Sequence, residues 1–251
     1  MVLTALRGGV GFLTRIPVGQ SSDAWEAFAG IPAVFPLVGY LLGAAVALPV
    51  LLAVTAVPPV VVAGLALPWL YLLAGITHAD GLADLADAAV VHGDPDDRVE
   101  VLTDATTGVG GTVAVVLVFV GTALGLVGVA GLPVRQAVAV VVATEVGAKL
   151  AMAGIACLGT AAFEGLGAAL TEPATWRQLP VATGLALPAA ALAWPTLAAT
   201  GALLGAVAAG GLLAAYASRL LDGVNGDVFG AANEVGRFVG LNAGVIAWTL
   251  S

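Results

Sequence analysis

THADGLADLADAAVVHGDPDDRVEVLTDATTGVGG, residues Thr77–Gly111, holds eight of the sixteen acidic residues in the chain: Asp80, Asp84, Asp87, Asp94, Asp96, Asp97, Glu100 and Asp104. It also holds both histidines, His78 and His92. On either side of it charge almost vanishes. The chain of 251 residues is 60% hydrophobic and 10% charged, with 34 glycines and a mean hydropathy of +1.06, whereas a water-soluble domain carries roughly 25% charged residues. Such a composition cannot clothe a water-facing surface. It predicts an all-α, polytopic integral membrane helical bundle, rich in the small residues that let helices pack closely in lipid, with its acids gathered at one polar site.

Towards the N-terminus, residues 1–28 are a short amphipathic start with Arg7 and Arg15, expected to form an interfacial helix. A first span is expected from about Gly30 to Val57, ended by Pro58-Pro59. A second runs from Val60 to Ile76, since about 20 apolar residues cross the hydrocarbon core. Towards the C-terminus, a third span is expected over Gly111–Gly131 and a fourth over Ala137–Leu158, with Glu145 and Lys149 inside it. A polar loop follows, Gly159–Pro180. The fifth and sixth spans, Val181–Ala199 and Gly201–Ala217, almost touch, and Pro188 and Pro195 point to broken helices there. The closing segment FVGLNAGVIAWTL is long enough to span only if its helix starts near Ala231.

The expected organisation is one integral membrane domain, residues 1–251, with six to seven transmembrane helices. Within it lie an N-terminal interfacial segment (1–28), an acidic catalytic stretch (77–110) and a second active-site loop (218–237). Parity places the polar loops on one face with Arg7, Arg15, Arg98, Arg177, Arg219 and Arg237, against Arg135 alone on the other. The positive-inside bias puts that face in the cytoplasm of a multi-pass cell-membrane protein. A net charge of −8 and a pI near 4.4 argue against nucleic acid as a partner. Cys157 is the lone cysteine, which excludes an internal disulfide.

Asp80, Asp84 and Asp87 are spaced i, i+4, i+7 and fall on one helix face. Acidic runs are ordinarily solvated helix faces, but here charge is scarce and adjoins apolar spans, where ionised groups are costly. Three clustered carboxylates repel one another unless a cation sits among them. Oxygen donors of this kind suit Mg²⁺ or Mn²⁺, and Mg²⁺ commonly takes one or two carboxylates and completes its shell with water and substrate phosphate. The spacing therefore points to a magnesium-diphosphate site at the membrane surface. Asp104, followed by Gly108, Gly110 and Gly111, forms D-x-x-x-G-x-G-G, in which glycines let backbone N–H groups approach a phosphate; an ordinary helix start capped by Asp104 or Thr106 is the plainer alternative. Asn225, Gly226, Asp227 and Glu234 lie in DGVNGDVFGAANE, Asp227 and Glu234 again on one face. His78 stands two residues before Asp80, as a general base or a phosphate donor. Glu164 sits beside glycines in FEGLG. Glu145 and Lys149, i and i+4 in a span, form a mutual ion pair or a substrate contact.

These motifs together resemble the cobalamin synthases, the adenosylcobinamide-GDP ribazoletransferases, over nearly the whole chain. FLTRIPV (Phe12–Val18) and FPLVG (Phe35–Gly39) resemble the family's opening. THADGLADLADA (Thr77–Ala88) resembles its long signature H-x-D-G-L-A-D-x-x-D-G, with Ala88 in place of the last glycine. TDATTGVGG (Thr103–Gly111) is similar to K-D-S-R-x-G-x-x-G, with Thr103, Ala105 and Thr106 replacing Lys, Ser and Arg. EGLG (Glu164–Gly167) matches as it stands. Asp222–Glu234 resembles G-G-x-T-G-D-x-x-G-A-x-x-E, with Asp222 and Asn225 replacing Gly and Thr, and Arg237 standing where a second acid is usual.

The resemblance implies a Mg²⁺-dependent phosphotransfer. The ribose 3′-hydroxyl of α-ribazole, or of its 5′-phosphate, attacks the phosphorus next to the cobinamide of adenosylcobinamide-GDP. GMP leaves, and adenosylcobalamin or its 5′-phosphate forms. The implied metal ligands are Asp80, Asp84 and Asp87. The catalytic set is Asp80, Asp84, Asp104, Asp227 and His78, with Asp104 or Asp227 holding metal or activating the hydroxyl. Gly108, Gly111, Glu164, Asn225, Gly226 and Glu234 are the implied substrate contacts. Two other readings compete. A CDP-alcohol phosphotransferase also uses helix-borne aspartates, but Asp84 stands near where that pattern needs arginine. A cation or corrinoid transporter would place its polar groups near the bilayer midplane, and only Glu145 and Lys149 lie deep. The implied partners are the two small-molecule substrates and the lipid bilayer, with a homo-oligomer compatible with the sequence.

Overall fold

The structure, a computed structural model, describes residues 1–19, 21–53, 55–104 and 106–251. Two short helices open the chain, α1 (Val2–Leu13) and α2 (Ser22–Ala29), the latter capped by the Ser21 hydroxyl accepting from the Ala24 amide. An aromatic cluster of Phe12, Trp25, Phe28 and Phe35, with Phe12–Trp25 centroids 4.9 Å apart, joins this hairpin to the next helix. That helix, α3 (Val34–Val46), runs on into α4 (Leu48–Ala53), and α5 (Pro59–Ala74) returns with proline in its first turn, where a missing N–H costs nothing.

At Gly75 the backbone takes φ 78°, a left-handed value that glycine adopts freely. The chain turns there by 92° into α6 (Thr77–Val90), which holds the acidic signature. α6 does not continue the span but lies across one end of the bundle. α7 (Pro95–Leu102) follows, started by a reciprocal capping box between Asp94 and Asp97. Those two acids therefore have a local structural use.

The long helices come next: α8 (Val109–Ala130) and α9 (Val134–Leu158). α9 is buried almost all round, as a helix that others surround must be. After α10 (Leu166–Thr171) and a single 3₁₀ turn (Trp176–Gln178), α11 (Leu179–Ala186) passes into a second 3₁₀ segment (Leu187–Ala191). Then α12 (Ala198–Leu220) and α13 (Gly226–Thr249) pack antiparallel. Among the described residues the one β-type pairing is an isolated bridge, Ala161–Val224, which ties the loop after α9 to the turn before α13.

The all-α membrane bundle of the sequence is the fold observed. Val34–Ala53, Val109–Ala130, Val134–Leu158 and Ala198–Leu220 are each long and apolar enough to cross a membrane, and α5 with α6 makes a bent pair. Leu65, Leu72, Leu117, Leu124, Leu204 and Leu212 are exposed on the perimeter, as side chains facing lipid would be. The chain also passes between the two ends of the bundle in α5, in 179–197 and in α13. The middle passage is not the regular helix expected for Val181–Ala199. Gln178 donates to the Gly30 carbonyl at one end, the Tyr40 hydroxyl to Leu185 in the middle, and the Thr200 hydroxyl to Ala190 beyond it. The irregular winding falls around Pro188 and Pro195, whose missing N–H groups break the helical ladder. The expected loop 218–237 is mostly helix. Only 221–225 turn, and Asn225 caps α13 by accepting from the Val228 amide.

Candidate functional site

α6 reaches the start of α13 through glycine. A Cβ on Gly81 would lie 2.7 Å from the Asp227 Cα, and one on Gly230 would lie 3.0 Å from the His78 Cα. The first is closer than a real Cβ can sit, and the second would require the backbone of α6 to give by a few tenths of an ångström. This crossing brings Asp227, from the first turn of α13, against the α6 face that carries Asp80 and Asp84. Asp80 is exposed and Asp84 and Asp227 are partly exposed. A cavity of about 960 Å³ opens here, walled by His78, Asp80 and Asn225–Asp227 on one side and by Arg7, Gly11, Phe12 and Trp25 of the N-terminal hairpin on another. Phe163 and Leu166, which flank Glu164, complete it.

None of Asp80, Asp84 and Asp227 has a Lys or Arg partner among the described residues. Burial, and then the charges of Asp227, Asp80 and Asp87, push the Asp84 carboxyl up to about 6. Burial and like charge both disfavour the ionised form of a carboxyl. Hard oxygen donors with uncompensated charge fit Mg²⁺. No three acidic, His or Cys groups among the described residues converge into a complete cage, so an ion held here needs water or substrate oxygens for the rest of its shell.

The structure gives several expected site residues other surroundings. Asp87 is buried, and its two oxygens accept from the Gly108 amide at 2.6 Å and the Gly111 amide at 2.8 Å. The glycine-rich motif, expected as an open phosphate cradle, here donates to an internal carboxylate and clamps α6 to the start of α8. Asp104 is exposed and accepts from the Thr106 amide in a local turn, outside the cavity lining. Ala105 lies outside the described residues. Glu164 is exposed at the edge, with only its neighbours in the lining. Asn225 and Gly226 do line the cavity, and Asn225 donates to Asp227 at 2.7 Å.

Glu234 departs furthest from expectation. It is fully buried, is not part of the cavity lining, and joins a polar network. It accepts from Tyr71 at 2.7 Å, from Asn233 at 3.1 Å and from Arg237. Arg237 also binds Glu145, which pairs with Lys149 at 3.4 Å, and Lys149 donates to Asn233 at 2.6 Å. Glu145 and Lys149 are therefore paired as expected, inside a larger network that takes in Arg237, Glu234 and Asn233. Sequence reasoning missed Asn233, Tyr71 and Arg7. Two opposite charges on α9 and two on α13, all in apolar surroundings, were the available signal that the helices pair through them.

Comparison with known proteins follows the same lines. The sequence profile of the cobalamin-5-phosphate synthases matches residues 5–245. A protein of Halorubrum lacusprofundi named adenosylcobinamide-GDP ribazoletransferase is 51% identical over 99% of each chain. One of the same name from Haloquadratum walsbyi is 44% identical over 100% of each. Another from Methanococcoides burtonii is 29% identical over 98% of this chain and 93% of its own. No solved structure matches.

Proposed function

The chain belongs to the cobalamin-5-phosphate synthase family, and from that premise we propose that it acts as an adenosylcobinamide-GDP ribazoletransferase. The ribose 3′-hydroxyl of α-ribazole, or of its 5′-phosphate, attacks the phosphorus next to the cobinamide. The bond from that phosphorus to the GMP oxygen breaks, and cobalamin or its 5′-phosphate and GMP leave. The observation that carries this reading is a set of carboxylates without basic partners among the described residues, Asp80 and Asp227 lining a cavity large enough for a nucleotide and Asp84 beside them.

Asp80 and Asp84 are the residues that would hold Mg²⁺, which when bound neutralises charge on the diphosphate and on the departing GMP. Asp227 lies near them, its Oδ2 held by the Asn225 amide, and in this reading it accepts the proton of the attacking hydroxyl. Arg7 is the basic residue in the lining. Its Nε donates to the Val18 carbonyl at 2.8 Å, and among the described residues its two terminal nitrogens have no hydrogen-bond partner, which leaves them for phosphate oxygens. It supplies the charge that the family's third motif places at the positions of Thr103 and Thr106. Phe12, Trp25 and Phe163 give the cavity flat apolar walls suited to a purine or benzimidazole ring. The α1–α2 hairpin rests at the membrane surface and the site opens to the cytoplasm, a sidedness supported by the arginine distribution.

The test is turnover in membranes or nanodiscs, with adenosylcobinamide-GDP and α-ribazole, following GMP and cobalamin with Mg²⁺ or with EDTA. Mg²⁺-dependent release of GMP together with cobalamin is expected, and Asp80→Asn should lower the rate by about 10³-fold or more. GMP formation that survives EDTA and both Asp80→Asn and Asp227→Asn would overturn it.

A further inference from the structure

The buried network next to the cavity fixes more than charge. Asn233 is 0% exposed, and its amide meets three partners. Lys149 Nζ donates to its Oδ1 at 2.6 Å, while its Nδ2 lies 3.1 Å from Glu234 Oε1 and 3.2 Å from His78 Nδ1. A lysine ammonium has only donors, and an ionised carboxylate has only acceptors. Glu234 is held in its acceptor role by Tyr71 and Arg237, which both donate to it. The amide therefore has one orientation, since a flip would set N–H against ammonium and oxygen against carboxylate. Both Nδ2 hydrogens are then committed, one to Glu234 and the other to His78 Nδ1.

An Nδ1 that accepts must carry its lone pair, so the proton of a neutral imidazole sits on Nε2. His78 lines the cavity. Asp80 lines the same cavity, and among the described residues the His78 Nε2 has no hydrogen-bond partner, which leaves its N–H for a group bound in the cavity.

We propose that Asn233 is a positioning residue that locks His78 in the Nε2–H tautomer, and that His78 serves the reaction as a fixed hydrogen-bond donor to an anionic oxygen of the diphosphate substrate, not as a general base. The donor role rests on the phosphotransfer reading above; the tautomer does not. A preorganised donor aimed at developing charge needs no proton transfer and is worth about 10²–10³ in rate when removed. Proton acceptance from the hydroxyl is left to a carboxylate.

The chain has only two histidines, so ¹⁵N-histidine labelling gives two imidazoles, and His92→Gln identifies the one from His78. In the wild-type protein at pH 7, without substrate, His78 should show a bare Nδ1 and a hydrogen-bearing Nε2. A proton on Nδ1, or averaged shifts from tautomer exchange, would overturn the lock. Asn233→Leu should release it into a tautomer mixture, and wild-type spectra decide the matter if that variant does not fold. Glutamine keeps a donor at the Nε2 position but has no basic nitrogen. In turnover, His78→Gln should stay within about tenfold of wild type, while His78→Leu, with no donor, loses about 10²–10³-fold. A folded His78→Gln as inactive as His78→Leu would overturn the donor role. Failure of the phosphotransfer reading would instead appear as absent wild-type turnover with the tautomer intact.

Discussion

At the scale of single residues, the site is built against its own stability. Asp84 binds its proton more tightly in the folded protein than in the unfolded chain, because burial and three neighbouring carboxylates oppose its charge. Between the ordinary carboxylate value near 4 and about 6, raising the pH therefore removes stability, and the loss is complete above that window. In EDTA, the melting temperature in detergent should fall as the pH rises from 5 to 7.5. Asp84→Asn should flatten that slope and melt higher than wild type at pH 7.5, while losing turnover. Mg²⁺ should raise the wild-type melting temperature more than that of the variant. Arg7→Met should act differently, raising KM for adenosylcobinamide-GDP by roughly 10- to 100-fold with kcat little changed, as expected when a charge-assisted contact of about 1.5–3 kcal/mol serves ground and transition states alike. The helical spacing of Asp80 and Asp84 was legible in the sequence because it is local. The fate of Asp87 was not, because nothing in its own turn announces that Gly108 and Gly111 will fold over it.

At the scale of elements, the site depends on one close crossing. Gly81 and Gly230 allow α6 to lie on the first turns of α13, and a branched side chain at Gly81 must push Asp227 away from Asp80 and Asp84. Gly81→Val should fold but lose at least about 10²-fold in turnover, since a 1 Å misplacement can cost that much; retained turnover would show that the crossing has slack. The turn before α13 holds a milder misfit. Asp222 has φ 55°, where the family motif places glycine. Asp222→Gly should stabilise the protein by about 0.5–1 kcal/mol, read by thermal unfolding. The elements themselves were largely foreseeable from apolar length and proline position. The exceptions are instructive. Pro188 and Pro195 marked a broken passage without revealing its course, and the polar DGVNGDVFGAANE read as a loop although Asn225 starts a helix in it.

At the scale of the whole molecule, the buried network of Glu145, Lys149, Glu234 and Arg237 joins α9 to α13 with balanced charge. Removing one member leaves others buried and unpaired, which costs about 3–5 kcal/mol. Arg237→Met should lower stability by that amount, and adding Glu234→Gln, which leaves the Glu145–Lys149 pair balanced, should recover part of it. That the four residues meet was only half legible: the i, i+4 pair on α9 is local, whereas its union with α13 is a tertiary event that no spacing encodes. The membrane class was the most legible property, because composition alone limits what the surface can face.

The chain passes between the ends of the bundle in 34–53, 59–74, 109–130, 134–158, 179–197, 198–220 and 226–249. Seven is an odd number, so under the orientation proposed above the two ends of the described chain would face different aqueous compartments. A reporter that matures only in the cytoplasm should therefore glow when joined to Met1 and stay dark when joined to Ser251. Ser251, remote from the cavity, is also the end at which an affinity handle would leave the substrate's entrance untouched.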